Sequence, residues 1–205
     1  MTLSNLKPEP WLRAGVGVMV LCGLGFRFAA IYDLPTAITF ALGLACLARG
    51  YWRAYMWIFL LGCVNRETTA LLTLVFMIYF YKRMGWGVWL GGIALQAWMW
   101  LVVRVQIVMI FADSPGADFW FRPRENVEAF ILQPWLGAFH WAGFGLVIWL
   151  CLRKWQRKPA LLRTAFAVLM PVSVGLYLVL GNAFELRVFA EVFPVVWWLA
   201  LGNDE

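Results

Sequence analysis

Arg66 is the residue of this chain whose setting folding alone explains least. It lies in Cys63-Val64-Asn65-Arg66-Glu67-Thr68-Thr69, a polar cluster between two apolar stretches. Asn65 suits a helix N-cap and Glu67 the first turn after it, because side-chain oxygens and negative charge satisfy the unpaired N–H groups of a helix start. Capping gives Arg66 no task. A guanidinium beside such N–H groups suits a phosphate or a carboxylate. Arg27 and Arg104 lie inside apolar stretches, where an ionised side chain costs about a few kcal/mol unless it is paired or wetted. Each reads either as a residue snorkelling to an interface or as the lining of a polar cavity. Gln96 and Gln106, on the same stretch as Arg104, favour lining there.

Carboxylates complete the chemical set. Asp33, in Tyr32-Asp33-Leu34-Pro35, either caps a helix that starts near Pro35 or serves as a general base. Glu67 is the second candidate base. Glu185-Leu186-Arg187 opens the last apolar stretch; Arg187 and Glu191, four apart, suit an intrahelical pair and leave Glu185 over. His140 stands alone, and Cys22, Cys46, Cys63 and Cys151 have none of the close spacings of a zinc or redox site. The residue types therefore indicate no metal, haem or iron–sulfur centre, and the cofactor is unknown. Walker A, Gly-x-Gly-x-x-Gly and His-Glu-x-x-His patterns are absent, which argues against ATP-driven transport and metalloproteolysis.

The elements that must position these residues follow from composition. Of 205 residues, 63% are apolar and 14% charged, against about half and about a quarter in soluble domains. The reading is one integral membrane domain over residues 1–205: an all-α, polytopic transmembrane helical bundle of about six to eight membrane helices, several of them short. Trp11 to Ile31, Trp86 to Phe111, Trp135 to Leu152 and Arg163 to Leu180 meet or approach the length of a span. Leu186 to Leu201 is shorter, and Thr36 to Ala48, Ala54 to Val64 and Thr68 to Tyr81 are shorter still. Gly87-Val88-Trp89-Leu90-Gly91 has the small-xxx-small spacing that permits close helix packing.

The net charge of +6 is explained by topology rather than by nucleic acid, since Lys and Arg collect in cytoplasmic loops. If residues 153–163 form a cytoplasmic basic loop and the chain turns at Asn65-Arg66-Glu67, eleven of the 17 basic residues fall inside. Fusing Ala54 to Tyr81 into one span would move Lys7, Arg13, Arg49 and Arg53 outside, so the turn is preferred. Asp33, the 65–67 turn, an interfacial loop over 112–134 and Glu185 with Arg187 then share the outer face. Short helices beside full spans leave an outward-facing polar recess there.

Tyr32-Asp33-Leu34-Pro35, Asn65-Arg66-Glu67-Thr68 and Glu185-Leu186-Arg187-Val188-Phe189, in this order, resemble the later part of GT-C type membrane glycosyltransferases over roughly Tyr32 to Pro194. The resemblance implies an outward cavity, a polyprenyl-phosphate-linked sugar donor and an acid in the first outer loop, where Asp33 stands. It would make Asp33 catalytic and set Arg66 on the lipid phosphate; the charges gathered on the outer face add Glu67 as a second candidate catalytic residue and Asn65, Arg27, Arg104, Glu185 and Arg187 as candidate substrate-binding residues. Such enzymes carry a longer N-terminal membrane module; here one span precedes Asp33. The partners expected are membrane lipids, a lipid-phosphate sugar and other membrane subunits, with a multi-pass location in a bacterial inner membrane. The alternative is a non-catalytic transmembrane subunit of a larger, energy-transducing membrane complex, suggested by the 14 Trp and 16 Phe available to pack on partner helices.

Overall fold

Apolar residues three and four apart force helices throughout, and helix is the only regular structure among the described residues of the computed structural model. Those residues are 33–113, 124, 128, 131–132, 134–180 and 189–201. The span expected over Trp11 to Ile31, with Cys22 and Arg27, lies outside them, as do most of the 112–134 loop, Glu185 and Arg187. Of that loop, Arg124 and Glu128 form an exposed i,i+4 ion pair at 2.8 Å. Contacts divide the chain into two units, Met1–Ala117 and Asp118–Glu205.

In the first unit, α1 (Asp33–Arg49), α2 (Trp52–Asn65), a 3-10 turn (Glu67–Ala70), α3 (Leu71–Phe80) and α4 (Trp86–Ile110) follow in order. α1 starts three residues before the expected Thr36, because Pro35 is compatible with a first helical turn. It ends at Gly50, whose φ of +70° is left-handed. There Tyr51 N–H reaches the Cys46 carbonyl at 2.9 Å and Gly50 N–H the Leu47 carbonyl at 3.3 Å, closing the helix end and reversing the chain. The second reversal is at Arg66, a single extended residue (φ −155°, ψ 142°) between α2 and the 3-10 turn. Trp52 at the start of α2 meets Phe80 at the end of α3, with ring centroids 5.0 Å apart, so α2 and α3 run antiparallel. The expected turn at 65–67 is therefore present, and Ala54 to Tyr81 is not one span.

Packing in this unit is built on aromatic rings and close helix approaches. Phe40, Leu44, Tyr55, Phe59, Leu72, Val75 and Phe76 are buried, and Phe76 stacks on Tyr55 at 6.4 Å. A β-carbon on Gly62 would lie 2.5 Å from Thr39 Cγ2 and 2.8 Å from Thr69 Cγ2, so α1, α2 and the 3-10 turn touch there backbone to side chain. On α4 the close contact is at Gly92, where a β-carbon would come within 2.8 Å of Phe76 Cζ. Gly87 and Gly91 face open space, so their small-xxx-small spacing does not mediate packing within the unit.

The second unit contains α5 (Pro134–Leu152), a 3-10 turn (Trp155–Arg157), α6 (Ala160–Leu180) and α7 (Phe193–Leu201). The basic run between α5 and α6 turns through Lys154 at φ +53°, and Trp155 folds onto Phe166 at 5.9 Å. α6 begins one turn before the expected Arg163, which donates to Gln156 Oε1 at 3.1 Å. α7 is shorter than the expected Leu186 to Leu201. Pro194, which has no N–H to give a preceding turn, fits the first turn of the helix that starts at Phe193. Glu191 is in a turn and 2% exposed, and the expected pair with Arg187 lies outside the described residues. Phe189 contacts Phe144 of α5 at 5.6 Å and Tyr177 of α6 at 5.5 Å.

Two helices among the described residues, Trp86–Ile110 and Ala160–Val179, are long and apolar enough to cross a membrane. Only 11% of the most apolar part of α4 is buried, whereas the core helix of a soluble domain is mostly enclosed. Trp86, Val88, Trp98, Val108, Met109 and Ile110 on it are all exposed.

Candidate functional site

Four elements of the first unit deliver ionised side chains to one end of it. Asp33 opens α1, Arg66 occupies the break after α2, Glu67 opens the 3-10 turn, and Arg104 stands six residues before the end of α4. Arg66 Nη1 donates to Asp33 Oδ1 at 3.3 Å, with 18% and 17% of the two side chains exposed. Arg104 Nη1 donates to Glu67 Oε2 at 3.3 Å; Arg104 is 19% exposed and Glu67 64%. Arg104 Nη2 also donates to the Cys63 carbonyl, which lies in the last turn of α2. Its Nε–H is buried with no partner. The paired charges balance, yet Arg104 keeps a spare donor and Glu67 keeps an accessible carboxylate.

Several side chains serve other roles than the sequence indicated. Asn65 is the last residue of α2 and not an N-cap: its Nδ2 donates to Thr36 Oγ1 at 2.8 Å, tying α2 to α1. The cap position belongs to Arg66, which makes no side-chain capping bond, since its guanidinium has only donors and a helix start needs acceptors. Gln96 does not line a recess with Arg104. It is fully buried, accepts from Tyr55 O–H at 2.7 Å and donates to the Gly92 carbonyl at 3.1 Å. Gln106 is exposed, since two residues along a helix rotate the side chain about 200° from Arg104. Arg27, Glu185 and Arg187 lie outside the described residues, so among the described residues the first unit's cluster brings together Asp33, Asn65, Arg66, Glu67 and Arg104.

Two participants escaped notice in the sequence. Trp100 Nε1 donates to the Glu67 carbonyl at 2.9 Å, and Thr36 receives Asn65. Their signal was spacing: Trp100 is one turn before Arg104 and Thr36 one turn after Asp33, each on the face of its charged neighbour.

The level of the cluster follows from helix lengths. At about 1.5 Å per residue, α1 extends about 25 Å and α2 about 21 Å, while α4 extends about 37 Å. α4 thus runs on about 9 Å past Arg104 to Ile110, as an exposed apolar wall beside the charges. Among the described residues, no three His, Cys, Asp or Glu side chains group as a metal site. The arrangement offers guanidinium donors to an oxyanion and a carboxylate to a proton. No protein-family model matches the chain, and no match is found among curated proteins or among solved structures.

Proposed function

We propose that the chain is a multi-pass protein of a bacterial inner membrane, with about six to eight membrane helices, that binds a polyprenyl-phosphate-linked sugar in an outward recess, as GT-C type glycosyltransferases do. The observation that carries this reading is the convergence of Arg66 and Arg104 with Asp33 and Glu67 at one end of a largely apolar unit. Ion pairs placed there without a task would be an expensive way to hold helices together, because desolvation offsets much of their attraction. A phosphate accepting from the spare Arg104 Nε–H, and sharing Arg66, would use the donors the recess already holds.

In the transfer step, the acceptor hydroxyl oxygen forms a bond to the anomeric carbon as the bond from that carbon to the phosphate oxygen breaks. Glu67, the more accessible carboxylate, takes the hydroxyl proton, and polyprenyl phosphate leaves with its developing charge on the arginines. Asp33 holds Arg66 in place and is the second candidate base. The test is lipid-linked sugar binding and transfer in proteoliposomes for Arg66→Ala, Arg104→Ala, Asp33→Asn and Glu67→Gln. Arginine variants should lose binding and Glu67→Gln should lose transfer while still binding. Wild-type binding and transfer in all four would overturn the site.

A second reading, a non-catalytic subunit of a larger energy-transducing membrane complex, draws on the face of α4 where Gly87 and Gly91 meet open space and Trp98 is exposed. Purification in mild detergent separates the two: stoichiometric partner chains support the subunit, and a partner-free chain that binds lipid-linked sugar supports the first reading.

A further inference from the structure

The opposite end of the first unit has a different chemistry. Arg49 at the end of α1, Arg53 in the first turn of α2, and Lys82 and Arg83 after α3 are all exposed there. Trp52 lies 5.0 Å from Phe80 between ring centroids, which places these helix ends side by side. The acids of residues 33–113 are Asp33, Glu67 and Asp113, all at the other end, so among residues 33–113 none of the four cations has a carboxylate at hand. Arg83 instead lies over the Tyr79 ring at 4.2 Å and Lys82 over Tyr81 at 5.3 Å. Two helix starts share this end, α2 after Tyr51 and α4 after Gly85, and neither carries a side-chain cap. Their first N–H groups call for acceptors from elsewhere. Around them Tyr51, Trp52, Tyr81 and Trp86 are exposed by 59%, 37%, 50% and 64%, the amphipathic aromatics that settle at the headgroup level of a bilayer.

We infer that this end is a binding surface for anionic phospholipid headgroups, with Arg53, Lys82 and Arg83 on the phosphates and the aromatic collar at the glycerol level. The surface unites what such a headgroup needs: exposed cations, uncapped helix starts and interfacial rings, with no acid among residues 33–113 to compete. Each cation at a membrane surface strengthens anionic lipid binding about five-fold. The surface is distinct from the Arg66–Arg104 recess, and its test does not depend on that recess.

The test is native mass spectrometry of the purified protein in neutral detergent, titrated with phosphatidylglycerol or phosphatidylcholine. The wild type should retain phosphatidylglycerol preferentially. Arg53→Gln and Lys82→Gln, exposed positions whose change leaves packing intact, should each weaken that retention about five-fold, and Arg53→Lys should keep it. Inorganic phosphate at equal concentration should not displace the lipid. Three results would overturn the inference: equal retention of the two lipids, displacement by free phosphate, or the same loss when Arg157→Gln is made in the second unit, which would reduce the effect to net charge.

Discussion

Gly62→Ala and Gly91→Ala are the same chemical change on two helices of one unit, and the structure gives them opposite signs. At Gly62 the added methyl would sit 2.5 Å from Thr39 Cγ2, 2.8 Å from Thr69 Cγ2 and 3.1 Å from Thr69 Oγ1. Carbon atoms prefer about 3.5 to 4.0 Å, so α1 must withdraw from α2 by about 1 Å. Overpacking of this kind costs about 1 to 3 kcal/mol, against about 1 kcal/mol gained because Ala favours helix over Gly. The net expectation is destabilisation by up to about 2 kcal/mol. At Gly91 nothing lies within 4 Å, so only the helix preference remains and the variant should be up to about 1 kcal/mol more stable. The displacement at Gly62 also reaches the charged cluster, because the Asn65–Thr36 bond and the Arg66–Asp33 pair follow within about one turn. Thr39→Ser removes the methyl that clashes first, so the double variant with Gly62→Ala should recover part of the loss, as coupled neighbours do. A thiol-reactive dye reporting exposure of the buried Cys63 and Cys151 during heating would measure all four proteins. Equal stability of Gly62→Ala and wild type, or a larger loss for Gly91→Ala, would refute the packing described for α1 and α2.

Tyr55→Phe should destabilise by about 1 to 3 kcal/mol, because Gln96 is then buried with an unsatisfied carbonyl; Tyr55→Phe with Gln96→Leu should recover most of it, checked by the same unfolding assay. Replacing Arg104 by Lys keeps the charge but not the planar fork, so binding of lipid-linked sugar should weaken markedly while stability falls less, read by binding and unfolding together. With native cysteines replaced by serine, Val64→Cys and Arg83→Cys should label from opposite sides of sealed vesicles. Labelling from one side would contradict the proposed membrane-crossing course of α2 and α3.

Charge placement carried much of the first unit's organisation in the sequence. The choice of a turn at Asn65-Arg66-Glu67 rested on keeping Lys7, Arg13, Arg49 and Arg53 on the side of the other basic residues, and among the described residues Arg49 and Arg53 share one end with Lys82 and Arg83 while Asp33, Arg66, Glu67 and Arg104 stand at the other. What sequence could not supply was the partner of each group. Asn65 is a good N-cap by type, but a threonine 29 residues away offers its hydroxyl, and such long-range pairs leave no local pattern. Gln96 looked like cavity lining because polar residues in apolar helices have two uses, and only the position of Tyr55 decides between them. Gly87 and Gly91 had the spacing for packing, while Gly92 next to them makes the contact. A shift of one residue, about 100° around the helix, separates the two readings. Glu191 was assigned to a helix by periodicity, but it stands in a turn, and Pro194 fits the first turn of the helix that follows.

On the proposed membrane reading, the unequal lengths of the helices in the first unit bear on the lipid around it. α4 is longer than a hydrocarbon core of about 30 Å, and α1 and α2 are shorter. A bilayer that meets both must thin beside the short pair and thicken or tilt against the long one, at a cost of a fraction of a kcal/mol per Å. In such a bilayer one flank of the unit would match short acyl chains and the other long ones. Acyl-chain length then becomes a variable that acts on the level of the charged cluster from outside, with no contact to any of its residues.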